Sequence, residues 1–320
     1  MQAPLLKRKS AGAETSMNKA LRFCLFGGFV LSSFLLHAAM GQTPLFIAAP
    51  VTAIGAFTDG IEGPACDVNG DVYAVNFHHQ GTIGRIDANG EGGVYVELPS
   101  GSVGNGIRFG LAQEMFVADY TGHNILTVSR ETRALRIFSH DDRMNQPNDL
   151  AVGPDGALYA SDPNWSQHTG QLWRIGLDGR TTRLAVDMGT TNGIEVSPDG
   201  KTLYVGESEQ RLIWSFRINT NGSLSEKQIF MRFSEHGLDG MRSDVDGNLY
   251  ITRYGAGTVL KVSPRGEILR EIDVLGSRPS NLCLGGLDGQ TVYVTEVEHR
   301  RLIRFHVDRP GLAWTRLKAN

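Results

Sequence analysis

Residues 146–163 read QPNDLAVGPDGALYASDP. Two short apolar runs, 150–152 and 157–160, flank Pro154-Asp155-Gly156. Asp-Gly between apolar runs is a strong short-range hairpin signal, because both turn residues tolerate positive φ. The same phrase recurs as IEGPACDVNGDVYAVN at 61–76, TNGIEVSPDGKTLYVGES at 191–208 and LDGMRSDVDGNLYITRYGAGTVLKVSPRG at 238–266. Aligning every copy gives six starts: Glu62, Asn105, Asn148, Asn192, Asp239 and Asn281, separated by 43, 43, 44, 47 and 42 residues. Seven to eight residues on, five units carry a turn dipeptide: Asn69-Gly70, Asp155-Gly156, Asp199-Gly200, Asp246-Gly247 and Asp288-Gly289. The second unit has Gly110-Leu-Ala-Gln there and breaks the pattern. Eleven or twelve residues after each start comes an aromatic, opening the strands YAVNF, FVADY, YASDP, YVGES, YITRY and YVTEV.

A third strand follows in each unit (82–86, 125–128, 172–175, 212–218, 259–262, 302–307), and a more polar fourth appears at 94–98, 135–138 and 268–274. A period near 44 with four strands per unit predicts an all-β, six-bladed β-propeller with a central channel. The composition agrees. Gly numbers 39 of 320, well above the usual ~7%, and it has no collagen period. The 41% hydrophobic content excludes wholesale disorder. A net charge of −3 excludes the basic footprint of a nucleic-acid binder.

The first 41 residues read as an export signal. Lys19 and Arg22 precede an apolar run, 23–36, of signal-peptide length. Ala39-Met40-Gly41 offers small residues for cleavage before Gln42. Met17 makes 1–16 a candidate mis-called upstream start. The expected mature chain, 42–320, is one domain, periplasmic or secreted, with no membrane contact after cleavage. Its net charge is −7, because five basic residues and one acidic residue leave with the signal. Ring closure sets blades one and six side by side, with Cys66 and Cys283 on their first strands. A disulfide and a pair of buried thiols are both open readings. Residues 43–56 and 312–317 compete to supply the last blade's outer strand.

The first strand of each propeller blade lines the channel, so the six starts point toward one axis. All six carry side-chain oxygen, two as carboxylates. Such a set suits a hard cation, Ca²⁺ first, with Zn²⁺, Mg²⁺ or Mn²⁺ as alternatives. The plainer reading is ordinary Asn-Gly and Asp-Gly turn chemistry. Glu62 resists it, since Glu is not a turn former.

The four quoted phrases, with RPSNLCLGG at 278–286, resemble the gluconolactonase/regucalcin (senescence marker protein) family of six-bladed propellers over residues 60–305. The resemblance implies one divalent cation in the channel, held by Glu62, Asn148, Asn192 and Asp239, and hydrolysis of a lactone. Asn105, Asn281, Gln146 and His236 are the expected channel-lining and substrate positions. Gln146 stands where some sugar-lactonase members have Arg, and Glu235-His236 where many have Gly-Pro. Asp239 is the expected catalytic base, with His236, His78 and His79 as further rim bases. Asp149 and Asp162 are expected to orient Asn148 from behind. Trp165 and His168, in the loop 163–170, are candidates for a pocket floor or lid.

The expected partner is a small lactone or sugar-acid-like molecule. No G-x-S-x-G, Walker, Rossmann or H-E-x-x-H signature competes. A non-catalytic binding propeller and a metal-dependent lyase are the alternatives on this fold.

Overall fold

The computed structural model describes residues 43–319; the export segment expected over 1–41 lies outside them. Six four-stranded antiparallel sheets form the six blades, the strands of blades one to five running in chain order from the axis outward. Blade three shows the pattern: Leu150–Val152, Leu158–Asn164, Thr169–Ile175 and Thr181–Met188. The six-bladed, all-β expectation is the fold observed. The irregular second unit keeps register too. Gln113, eight residues after Asn105, takes φ 66 where the other units place Gly, and Gly110 donates to the Glu114 carbonyl across the turn at 2.8 Å.

The periodic aromatic explains how one blade meets the next. Tyr73, Phe116, Tyr159, Tyr204, Tyr250 and Tyr293 are all buried. Each lies in a different apolar cluster shared with the following blade. Tyr73 stands edge-on to Tyr95 of its own blade at 5.0 Å and to Phe109 of the next at 5.6 Å. The core is therefore divided into six wedges between sheets, which is why both faces of the inner strands are apolar.

The two ends of the described chain settle the closure question. Ala49–Pro50 pairs antiparallel with Arg301–His306 as the outer strand of blade six. Residues 312–317 are not a strand but lie in a helix, Leu312–Ala319. Trp314 explains the difference, because its buried ring sits against Gly289, where any Cβ would come within 2.5 Å of it. Leu317 and Ala313 pack beneath the inner strands beside Cys66, Cys283, Arg108 and Glu195, around a residual void of about 30 Å³. The helix thus fills the far end of the channel. Among the described residues no helix is long and apolar enough to cross a membrane.

Cys66 and Cys283 form a disulfide, with Cα atoms 5.9 Å apart and a sequence separation of 217. It joins the inner strands of blades one and six, so the ring is closed by a covalent bond as well as by a strand. A loop that long gives a chain-entropy contribution of order 5 kcal/mol, an upper figure. The double variant Cys66→Ala/Cys283→Ala is expected to lose about 2–5 kcal/mol in guanidinium unfolding. An unchanged midpoint in the reduced or doubly substituted protein would show that strand pairing alone holds the ring.

Candidate metal centre at the channel mouth

The position three residues after each blade's aromatic is occupied by Asn76, Asp119, Asp162, Glu207, Arg253 and Glu296, all buried. Five of them clamp the segment that leads into a site residue. Asn76 donates to the Gly60 carbonyl at 2.6 Å. Asp119 accepts from the Val103 N–H at 3.3 Å, Asp162 from the Asn145 and Gln146 N–H groups at 2.9 and 2.6 Å, and Glu207 from Gly189 at 2.7 Å. Arg253 reverses the polarity, donating to the Gly237 carbonyl at 3.1 Å. The sixth, Glu296, binds the N–H groups of Glu298 and His299 and the His299 ring. These bonds account for the acidic grouping of Glu296, Glu298 and His299 as a turn clamp.

A cavity of about 940 Å³ opens at this mouth. Glu62, Asn105, Asn148, Asn192 and Asp239 reach it from five blades. The glycine following several starts has a steric cause. A Cβ on Gly63 would lie 1.8 Å from the Asn105 carbonyl oxygen, and one on Gly193 2.3 Å from that of Asp239. Four of the six starts, Glu62, Asn105, Asn192 and Asp239, therefore approach the next across a glycine.

The electrostatics of these five residues favour a cation. The Oδ1 atoms of Asn105, Asn148 and Asn192 are buried and have no hydrogen-bond partner. The Asn192 amide is turned by its other end, which donates to Ser208 Oγ at 3.0 Å. Burial pushes the Glu62 carboxyl up to about 7, and the Asp149 charge adds to this. Burial, then the neighbouring Glu62 charge, raises Asp239 well above the carboxylate range. Unpaired buried polar atoms and crowded carboxylates are costly unless matched. An all-oxygen donor set of this kind fits a hard divalent cation.

Beneath the floor lies an ionic layer that is already balanced. Arg242 donates to both Asp149 oxygens, at 2.7 and 3.2 Å. Arg108 meets Glu195 at 3.1 Å, and Ser243 donates to the same carboxylate at 3.0 Å. Two arginines face two acids there, although burial still raises both, Glu195 to about 7; Glu62 and Asp239 have no ion-pair partner among the described residues.

Several expected positions are corrected. Asn281 is fully buried and does not face the cavity; its amide donates to Glu62 Oε2 at 3.1 Å while its oxygen accepts from the Leu282 N–H. It positions Glu62. Gln146 lies outside the cavity wall, its backbone held by Asp162. Asp149 and Asp162 do not reach the orphaned Asn148 oxygen. Asp149 is held by Arg242, and Asp162 anchors the 145–146 backbone with Gln171 and Trp173. His78 stacks on Phe77 and His79 pairs with Glu97, both away from the cavity. His236, Trp165 and His168 do line it.

Sequence reasoning misses the residue after the clamp: Tyr120, Ser208, Tyr254 and Val297 all face the cavity. The available signal is the position that follows each clamp, the fifth letter of FVADY, YVGES and YITRY and the residue 297 beyond YVTE.

Comparison with known proteins identifies the family of this fold. The family described as SMP-30/Gluconolactonase/LRE-like region matches residues 60–298. A gluconolactonase of Zymomonas mobilis is 24% identical over 286 residues, covering 78% of this chain and 80% of that protein. The diisopropyl-fluorophosphatase of Loligo vulgaris is 27% identical over 285 residues, covering 79% and 90%. The structure of a calcium-binding protein, regucalcin, from Agrobacterium tumefaciens superposes with a TM-score of 0.72 at 20% identity, covering 84% and 96%. At that identity the structural match speaks for the shared fold.

Arg242→Met is expected to destabilise the protein by about 3–5 kcal/mol in denaturant unfolding, because it leaves the Asp149 carboxylate buried and short of its bidentate partner. Arg242→Met paired with Asp149→Leu should recover much of that loss. Equal losses in the single and double variants would show that the layer is not coupled.

Proposed function

The chain belongs to the SMP-30/gluconolactonase/LRE-like family, and on that premise we propose that it is an exported, divalent-cation-dependent hydrolase that opens a lactone ring. The observation that carries the reading is the floor of the cavity: two crowded carboxylates beside three buried amide oxygens without partners. Glu62, Asn148, Asn192 and Asp239 would hold the cation, with Asn105 beside them. When bound, the cation supplies Lewis acidity toward the substrate carbonyl and acidifies nearby water.

The chain's own residues do the rest. Asn281 fixes Glu62, and Ser208 fixes Asn192, so the donor oxygens are held before substrate arrives. The clamps Asp119, Asp162, Glu207 and Arg253 hold the backbone on which the donors sit. Asp239, at the cavity floor, is the residue we assign to accept the proton of the attacking water. His236 stands at the rim on a loop whose carbonyls are gripped by Arg253.

Export is part of the same proposal, and the disulfide supports it, since such bonds persist in oxidising compartments. The fluorophosphatase named among the relatives keeps phosphorus esters within the hydrolase reading.

Three measurements test the proposal together. Metal analysis of the purified protein should find about one divalent ion per chain, and Glu62→Gln should lose it. Dialysis against chelator should abolish acid release from glucono-δ-lactone, and Ca²⁺ should restore it. Asp239→Ala should lower kcat/KM by about 10² or more. A chelated protein and an Asp239→Ala variant that both turn over lactones at the original rate would overturn the assignment.

A further inference from the structure

The cavity is large and its walls are uneven. About 940 Å³ lies within the range that holds drug-sized ligands. Most of the polar groups around it are already engaged with the protein. Asn76 spans Gly60 and Gly81. Ser208 accepts from Asn192 and donates to the Leu238 carbonyl. His168 Nδ1 pairs with Glu209 at 2.7 Å, and Arg211 donates to the Ser234 carbonyl at 2.8 Å. Above the oxygen-lined floor, the broadest apolar surfaces in the wall are aromatic. Trp165 and Tyr120 face the cavity from adjacent blades, with the Tyr120 hydroxyl beside the indole.

Trp165 belongs to none of the six interblade cores, so packing does not account for a tryptophan there. Its loop is nonetheless built. Trp165–Gln167 is a single 3₁₀ turn, with the Asn164 oxygen accepting from the Gln167 N–H at 3.2 Å. His168 closes that turn in the left-handed region, φ 56, and its pair with Glu209 ties the loop to blade four. The ring is thus partly buried, at the cavity, on a short segment fixed at both ends.

We propose that the substrate carries a planar apolar group, an aryl ring or its equivalent, which binds against Trp165 and Tyr120 while its acyl centre lies over the oxygen-lined floor. This rests on the hydrolase reading above and narrows it: the substrate class is an aryl-bearing lactone or ester. An indole presents a large flat face at low entropic cost, and ring pairs in offset or edge contact gain about 0.5–1.5 kcal/mol beyond the area they bury.

The test uses two pairs of probes on the purified, Ca²⁺-supplemented protein. Dihydrocoumarin and δ-valerolactone share a six-membered lactone and differ by the fused aryl ring. Their lactams, dihydroquinolinone and δ-valerolactam, resist hydrolysis and report binding by calorimetry. The aryl lactam should bind more tightly than δ-valerolactam. Trp165→Ala should weaken it about 5- to 10-fold and leave δ-valerolactam unchanged, whereas Trp165→Phe should keep most of the preference.

In kinetics the same loss should appear in kcat/KM for dihydrocoumarin, mainly through KM, with δ-valerolactone within about twofold of the parent. Aryl-lactam binding that depends on Trp165, without turnover of any lactone, would uphold the aryl site and defeat the lactonase reading. Lactone turnover with no aryl preference, or with Trp165→Ala acting equally on both probes, would overturn the aryl site and leave the lactonase reading standing.

Discussion

A ring of sheets is stable only if its last sheet meets its first. Every other feature of this molecule presupposes that junction. Five blade-to-blade joints are made between sequence neighbours, but the sixth must bring residue 283 back to residue 66. The chain makes it by returning Ala49–Pro50 to the edge of blade six and by linking Cys66 to Cys283 beside the axis. Both fastenings matter to the site, because Glu62 of blade one receives its hydrogen bond from Asn281 of blade six. An open ring would part that pair and unbalance the floor of the cavity.

The repeat was legible in the sequence because its physics is local. A left-handed turn needs Gly or Asn at one place, and an interblade wedge needs an aromatic at another, so both recur on the same count. Gln113 shows the limit of that code: the turn survives with an unusual residue at positive φ. The closing strand was legible only as one of two candidates, 43–56 against 312–317, since two residues of pairing leave almost no pattern. The final helix was hidden for a related reason. Its eight residues are held by contacts at the far end of the channel, chiefly Trp314 against Gly289, which no periodicity reveals.

The site was readable in part. Five of the six blade starts converge on the cavity, as the register required. Asn281 departs because its oxygen is taken by the Leu282 N–H, leaving only its amide to face Glu62. Asp162 supports Asn148 through the backbone that leads into it and not through the Asn148 side chain. It is one of the strand-end clamps, and the position three residues beyond each aromatic carries that role around most of the ring. Gln146 and Asp149 show how adjacency in sequence fails at a turn: the Gln146 backbone N–H is held by a clamp and the Asp149 carboxylate by an arginine beneath the floor, away from the orphaned Asn148 oxygen.

Among the described residues the helix Leu312–Ala319 packs across the far end of the channel, so the cavity opens at the opposite mouth. Whatever enters past Trp165 and Tyr120 must leave the same way, and water must share the passage. Traffic through this channel is therefore reversible queueing at one threshold, in which the departing molecule obstructs the next arrival. Slow release of a tightly held ring would set the pace however fast the bond is broken.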